Sequence, residues 1–154
     1  MKRQNIFLLV GLTLTIIIIM GLFDFLKSKQ NSNNQFVTEQ AFKNNLTKQM
    51  QMTPQTMDQL RKINVSADKE LKLEYFFYTN TADKAETFAN EIAKLNYKVK
   101  HGQSAGDKSS FVITGWTTKM KMQDNIVANW TKEMCELGYK FDCDFDGWGT
   151  SPDQ

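Results

Sequence analysis

Apolar residues recur along this chain at helical spacing in some stretches and at every second position in others, after an opening stretch that shows neither pattern. Residues 6–23, IFLLVGLTLTIIIIMGLF, are uncharged on every side. As a helix they span about 27 Å, close to the hydrocarbon thickness of a bilayer, which predicts a transmembrane anchor. Thr13 and Thr15 are compatible with lipid, because their hydroxyls can bond to the carbonyl one turn earlier. Residues 1–5 form a basic flank with Lys2 and Arg3, as a secretory signal would. The apolar run is longer than a usual signal, however, and no small-x-small cleavage site follows it. Within residues 24–37, the run KSKQNSNNQ lacks any apolar side chain and predicts a polar tether.

Helical spacing begins in residues 38–66. Ala41, Phe42, Leu46 and Met50 approximate one stripe, which predicts a first helix over 38–50. A second is predicted where Thr53 can cap, Pro54 takes the first helical position, and Met57, Leu60 and Ile63 fall on one side. From residue 71 the spacing becomes two: Leu73, Tyr75 and Phe77 alternate with Phe76 and Tyr78, as in a strand. Asn80 or Thr81 then caps a helix carrying Ala85, Phe88, Ala89, Ile92 and Leu95 and ending near Asn96. YKVKH predicts a short strand, GQSAGDKSS a turn, and FVITGW a third strand. A helix from about Thr118 carries Met122, Ile126, Val127, Trp130, Met134 and Leu137 and stops at Gly138, read as a left-handed turn. YKFDCDF closes the set, with Phe141, Cys143 and Phe145 inward and Asp142, Asp144 and Asp146 outward.

The order strand, helix, strand, strand, helix, strand predicts an α+β domain over residues 67–150. Two such halves make a ferredoxin-like βαββαβ sandwich, a four-stranded antiparallel sheet with two helices on one face. Residues 151–154 are a short tail.

Charge and chemistry narrow the function classes. The net charge is +2, and of 19 basic and 17 acidic residues the amino-terminal segment holds Lys2, Arg3 and Asp24, leaving 17 and 16. No basic field points to a nucleic-acid partner. Two cysteines and one histidine cannot build a zinc or histidine-rich centre. A disulfide between Cys135 and Cys143 is conceivable and stays open. His101 is isolated, no Ser or Cys lies in a nucleophile motif, and no glycine-rich phosphate loop follows a strand, which argues against an enzyme.

The end of the chain, FDCDFDGWGT, invites a calcium-loop reading with Asp142, Asp144, Asp146 and Gly147 at the first, third, fifth and sixth positions and Asp153 at the twelfth. The usual closing Glu and an exiting helix are missing, so no metal is expected. In combination with LEYFFYTNTADKAETFANEIAKLNYKV, the same ending resembles the regulator of ribonuclease activity B (RraB) family over about residues 54 to 150. Its members close on a similar aspartate-Gly-Trp-Gly. In LNYKV, Asn96 replaces the family's usual glycine, and Asn is the usual substitute in a left-handed backbone.

The resemblance implies a ferredoxin-like domain without catalytic residues or cofactor that binds a protein partner, the endoribonuclease ribonuclease E or another component of RNA decay, and lowers its activity. The familiar members are soluble and acidic, whereas this chain is near neutral with a predicted single-pass anchor. It is expected in the inner (cell) membrane. The resemblance favours a cytoplasmic domain, the flanking charges tilt toward a cytoplasmic amino terminus, and orientation stays open. The candidate partner-binding surface is Asp142, Asp144, Asp146, Gly147, Trp148 and Gly149, an aromatic flanked by glycines beside carboxylates that suit an arginine-rich segment. A second reading has Trp148 folded back as a plug over the core. The alternative function is direct single-stranded RNA binding through sheet aromatics, with Tyr75, Phe77 and Phe111 or Trp116 as candidates. It is disfavoured because KSSFVITGW lacks the RNA-recognition pattern and Asp142 and Asp144 would repel phosphate from an exposed sheet face.

Overall fold

The computed structural model describes residues 35–153. The apolar run at 6–23 lies outside them, and among the described residues no helix is long and apolar enough to cross a membrane. In chain order the elements are α1 (Glu39–Lys62), β1 (Glu70–Leu71), β2 (Glu74–Thr79), α2 (Ala82–Ala93), β3 (Lys98–Gln103), β4 (Phe111–Trp116), β5 (Met120–Lys121), α3 (Asp124–Lys140) and β6 (Asp144–Gly149).

Four strands pair antiparallel in the order β3-β4-β2-β6. With α2 linking β2 to β3 and α3 linking β4 to β6, the α+β domain has the ferredoxin-like arrangement of two split βαβ halves. Period-two patterning decides the faces. Tyr75, Phe77, Ile113 and Phe145 are fully buried, in one core with Phe88 and Ile92 of α2 and Val127 and Met134 of α3. Phe77 is the hub of the ring packing, with its centroid 4.6 Å from Phe88 and 4.9 Å from Phe145. On the opposite face, Glu74 pairs with Trp116, Phe76 with Thr114 and Tyr78 with Val112.

The two helices expected before the sheet are a single helix, α1. Its cap is Thr38, whose Oγ1 accepts from the Ala41 N–H at 3.1 Å, and it runs through Pro54 to Lys62. Proline removes one N–H from the ladder, and burial on the partner elements outweighs that loss. Met57 and Leu60 enter the core, Phe42 stacks on Tyr139 of α3 at 4.4 Å, and Thr53 is buried with its Oγ1 3.2 Å from Thr131 Oγ1 instead of acting as a cap. Ile63 follows the helix end and is 57% exposed, so it is not part of the stripe. The sandwich thus carries a third helix beside the expected two.

Helix α3 begins at Asp124 rather than Thr118, because Met120 and Lys121 pair with Leu71 and Glu70 in a separate two-stranded ladder. It also continues past Gly138 to Lys140. A Cβ at Gly138 would stand 2.6 Å from the Cys143 carbonyl oxygen and 2.8 Å from Phe77, so this glycine allows a close approach, not a left-handed turn. Among the described residues, the left-handed non-glycine positions are Asn64, Asn96 and Asp142, with φ of 64°, 61° and 58°. Asn96 ends the α2 turn as the family resemblance implied. Leu95 beside it is 44% exposed and lies outside the core stripe of α2.

Candidate functional site

Strand β6 occupies the sheet edge beside β2. Its register shifts between Phe76 and Phe77, so that Phe145 faces Phe77, Gly147 faces Phe76, and Asp146 is the extra residue of a bulge. Gly147 adopts φ +130°, a backbone that side chains rarely take. Past the bulge Trp148 pairs with Tyr75, on the helix side of the sheet. The half-buried Trp148 ring meets Trp130 edge-on at 6.4 Å, and its Nε1 donates to Thr53 Oγ1 at 3.3 Å.

Helix α1 covers part of this edge. Asn45 Nδ2 and Gln49 Nε2 donate to the Phe145 carbonyl at 2.7 and 3.2 Å, occupying an acceptor that an added strand would otherwise use. Asn45 Nδ2 also donates to Asp144 Oδ1 at 2.8 Å. Burial pushes the Asp144 carboxyl up, and the Asn45 amide only partly offsets this.

Asp142 precedes β6, so it is not an outward strand residue as the alternation suggested. Its Oδ1 accepts from the Phe36 and Val37 backbone N–H groups at 2.9 and 2.7 Å, and Oδ2 is 2.6 Å from Lys84 Nζ. Burial alone would raise this carboxyl, but the Lys84 ammonium and the two N–H donors outweigh it and hold the group below the usual carboxylate range.

The six residues read from the sequence as one surface therefore separate. Asp142 and Asp144 are engaged inside the domain, and Gly149 pairs with Glu74 at the strand end. Asp146, Gly147 and Trp148 come together with Gln49, Met52 and Thr56 of α1 around a cavity of about 180 Å³. Asp146 is exposed, and Met52 is 44% exposed. The α1 residues carried no local signal of this role, because their nearness to β6 spans about a hundred positions of chain.

Other candidate chemistry is bounded by the same geometry. Cys135 and Cys143 are buried free thiols, and burial pushes both up to about 12, far from a reactive thiolate. Among the described residues no three His, Cys, Asp or Glu side chains are grouped to hold a metal. His101 is exposed on β3. Tyr75 and Phe77, two of the aromatics considered for stacking on RNA, are fully buried and unavailable to a base.

No curated protein matches the chain. A family model described as regulator of ribonuclease activity B (RraB) matches residues 50–150, from the second half of α1 to the residue after β6, and the chain accordingly belongs to the regulator of ribonuclease activity B family.

Proposed function

We propose that this chain is a non-enzymatic, membrane-tethered module that regulates an endoribonuclease of the ribonuclease E type by binding it, with the groove between α1 and the β6 bulge as the docking surface. Family membership supports the regulatory class. The observation that carries the surface is the conjunction of exposed Asp146, exposed Met52 and half-buried Trp148 around one cavity at a sheet edge. An apolar anchor beside a carboxylate suits a segment that presents an aliphatic or aromatic side chain next to an arginine. Trp148 serves mainly as the wall of the groove, since its contacts with Thr53 and Trp130 hold the ring in place.

The uncharged run at 6–23 supports a single membrane span, and the following polar stretch a tether. Tethering raises the local concentration of the module near a membrane-associated partner without adding a contact.

Binding of purified ribonuclease E to the full-length chain in detergent micelles, compared among wild type, Asp146→Lys and Met52→Ala, tests the surface. Both positions are exposed, so the variants keep the fold. Each is expected to weaken binding about tenfold or more, as a loss of about 1.4 kcal/mol at an interface does. Unchanged affinity in both variants discards the groove, and absence of binding by wild type discards the ribonuclease reading.

A further inference from the structure

The sheet face turned away from α2 and α3 carries three half-buried aromatic rings, Phe76 and Tyr78 on β2 and Trp116 on β4. Phe76 and Tyr78 follow one another along β2, and Trp116 sits on neighbouring β4 one row beyond Phe76. Lys98, Trp116 and Glu74 form one cross-strand row, Lys100, Thr114 and Phe76 the next, and Gly102, Val112 and Tyr78 the third. Each ring borders a cavity: about 580 Å³ at Trp116, about 470 Å³ at Tyr78, and at Phe76 the groove of about 180 Å³ beside β6. The largest is lined by Trp116 with Lys72, Lys98, Lys119 and Ser151, three amines around one indole and no carboxylate. Lys98, Lys100 and Lys119 are exposed, and none forms an ion pair among the described residues. In the middle row the Thr114 hydroxyl is buried without a hydrogen-bond partner.

From these features we infer that the open sheet face binds single-stranded RNA, with a base stacked on Trp116 and its flanking phosphates held by Lys98 and Lys119. Stacking needs an accessible ring face and phosphate needs nearby cations, and the Trp116 cavity supplies both. The near-neutral net charge conceals this local excess of amines at Trp116, whereas the cavities at Phe76 and Tyr78 each include an aspartate, Asp146 and Asp107. One acidic obstacle also falls away: Asp142 is taken up by Lys84 and two backbone N–H groups. Asp144, bonded to the neutral Asn45 amide, keeps its charge but pairs with Tyr78, two rows from Trp116. Glu74, across from Trp116, remains on this face, where it can accept from an exocyclic amine of a stacked base. The inference stands on this face alone and does not require the groove at β6.

Fluorescence anisotropy of the full-length chain in nonionic detergent, with a labelled single-stranded RNA of about 12 nucleotides, tests it. Wild type is expected to bind the single strand and to lose affinity between about 50 and 200 mM salt. Trp116→Ala is expected to weaken binding about 5- to 150-fold, the loss of one base-aromatic stack, while Trp116→Phe retains most of it. Lys98→Gln with Lys119→Gln is expected to reduce the slope of log affinity against log salt by about 1.4, two single-strand phosphate contacts. This exposed pair carries the test even if Trp116→Ala fails to fold, which its thermal melt reports. No binding by wild type at the lower salt, equal affinity for the annealed duplex, or an unchanged salt slope in the lysine variant overturns the proposal. So does a folded Trp116→Ala protein that keeps its RNA affinity and loses ribonuclease E, since the face would then be a protein surface.

Discussion

Lys84 Nζ lies 2.6 Å from Asp142 Oδ2, with the two side chains 23% and 22% exposed, and this pair joins the first turn of α2 to the turn that leads into β6. The same carboxylate receives the backbone N–H groups of Phe36 and Val37, so one side chain secures three separated parts of the domain. It does so from a left-handed backbone that Asp tolerates better than most residues.

Asp142→Asn keeps a residue suited to that backbone and removes the charge. It is expected to destabilise the domain by about 1–3 kcal/mol, the range for charge-assisted hydrogen bonds at a partly buried site. Urea denaturation at neutral pH should show a lower midpoint with unchanged slope. Because the folded-state carboxyl is held low, the unfolded chain binds its proton first as the pH falls. The contribution is fully present above the unfolded value of about 4 and is lost on descending through the folded value, so the gap between variant and wild type should narrow in acid.

Two residues later the sign reverses. Burial raises the Asp144 carboxyl, so the folded state holds that proton more tightly than the unfolded one and stability falls as pH rises through the interval between the two values. Asp144→Asn is expected to leave stability at neutral pH unchanged or slightly higher, and to flatten this part of the pH profile. Paired urea titrations at pH 7 and at mildly acidic pH read the difference.

Gly138→Ala sets helix propensity against space. Alanine in a helix interior gains about 1 kcal/mol over glycine. The new methyl would lie 2.6 Å from the Cys143 carbonyl oxygen and 2.8 Å from the fully buried Phe77 ring. Overpacking of this kind costs about 1–3 kcal/mol, and contact with backbone rather than with the end of a flexible side chain puts it at the upper end. A net loss of about 1–2 kcal/mol by thermal or urea unfolding is expected.

Burial also governs the thiols. With Cys135 and Cys143 free and both pushed up to about 12, a thiol reagent at pH 8 is expected to leave the native chain unmodified and to label both positions once urea unfolds it. Rapid labelling of the native protein would contradict the packing of α3 against β6.

The elements most legible in the chain are those whose pattern is local. The alternation of Tyr75, Phe77 and their neighbours marks β2 and the sides of its faces, FVITGW is β4 residue for residue, and of the two expected candidates Asn80 and Thr81 it is Thr81 that caps α2. Periodicity of two or of about three and a half residues needs only nearby positions to be visible. Pro54 misled for the same reason: judged locally it begins a helix, whereas burial of Met57, Leu60 and Thr53 carries α1 straight through it.

The aspartates at the end of the chain show where local pattern stops being informative. Their even spacing suggested one acidic side of a strand, yet Asp142 binds groups 105 and 106 positions away, Asp144 meets Asn45, and Asp146 is displaced by a bulge. Composition and periodicity decide which residues leave water, since that depends on apolar area and its repeat along the chain. Which polar group meets which, and therefore what each exposed face can recognise, was decided only when the fold brought distant segments within hydrogen-bond reach, because those contacts are short-ranged in space and carry no regular spacing in sequence.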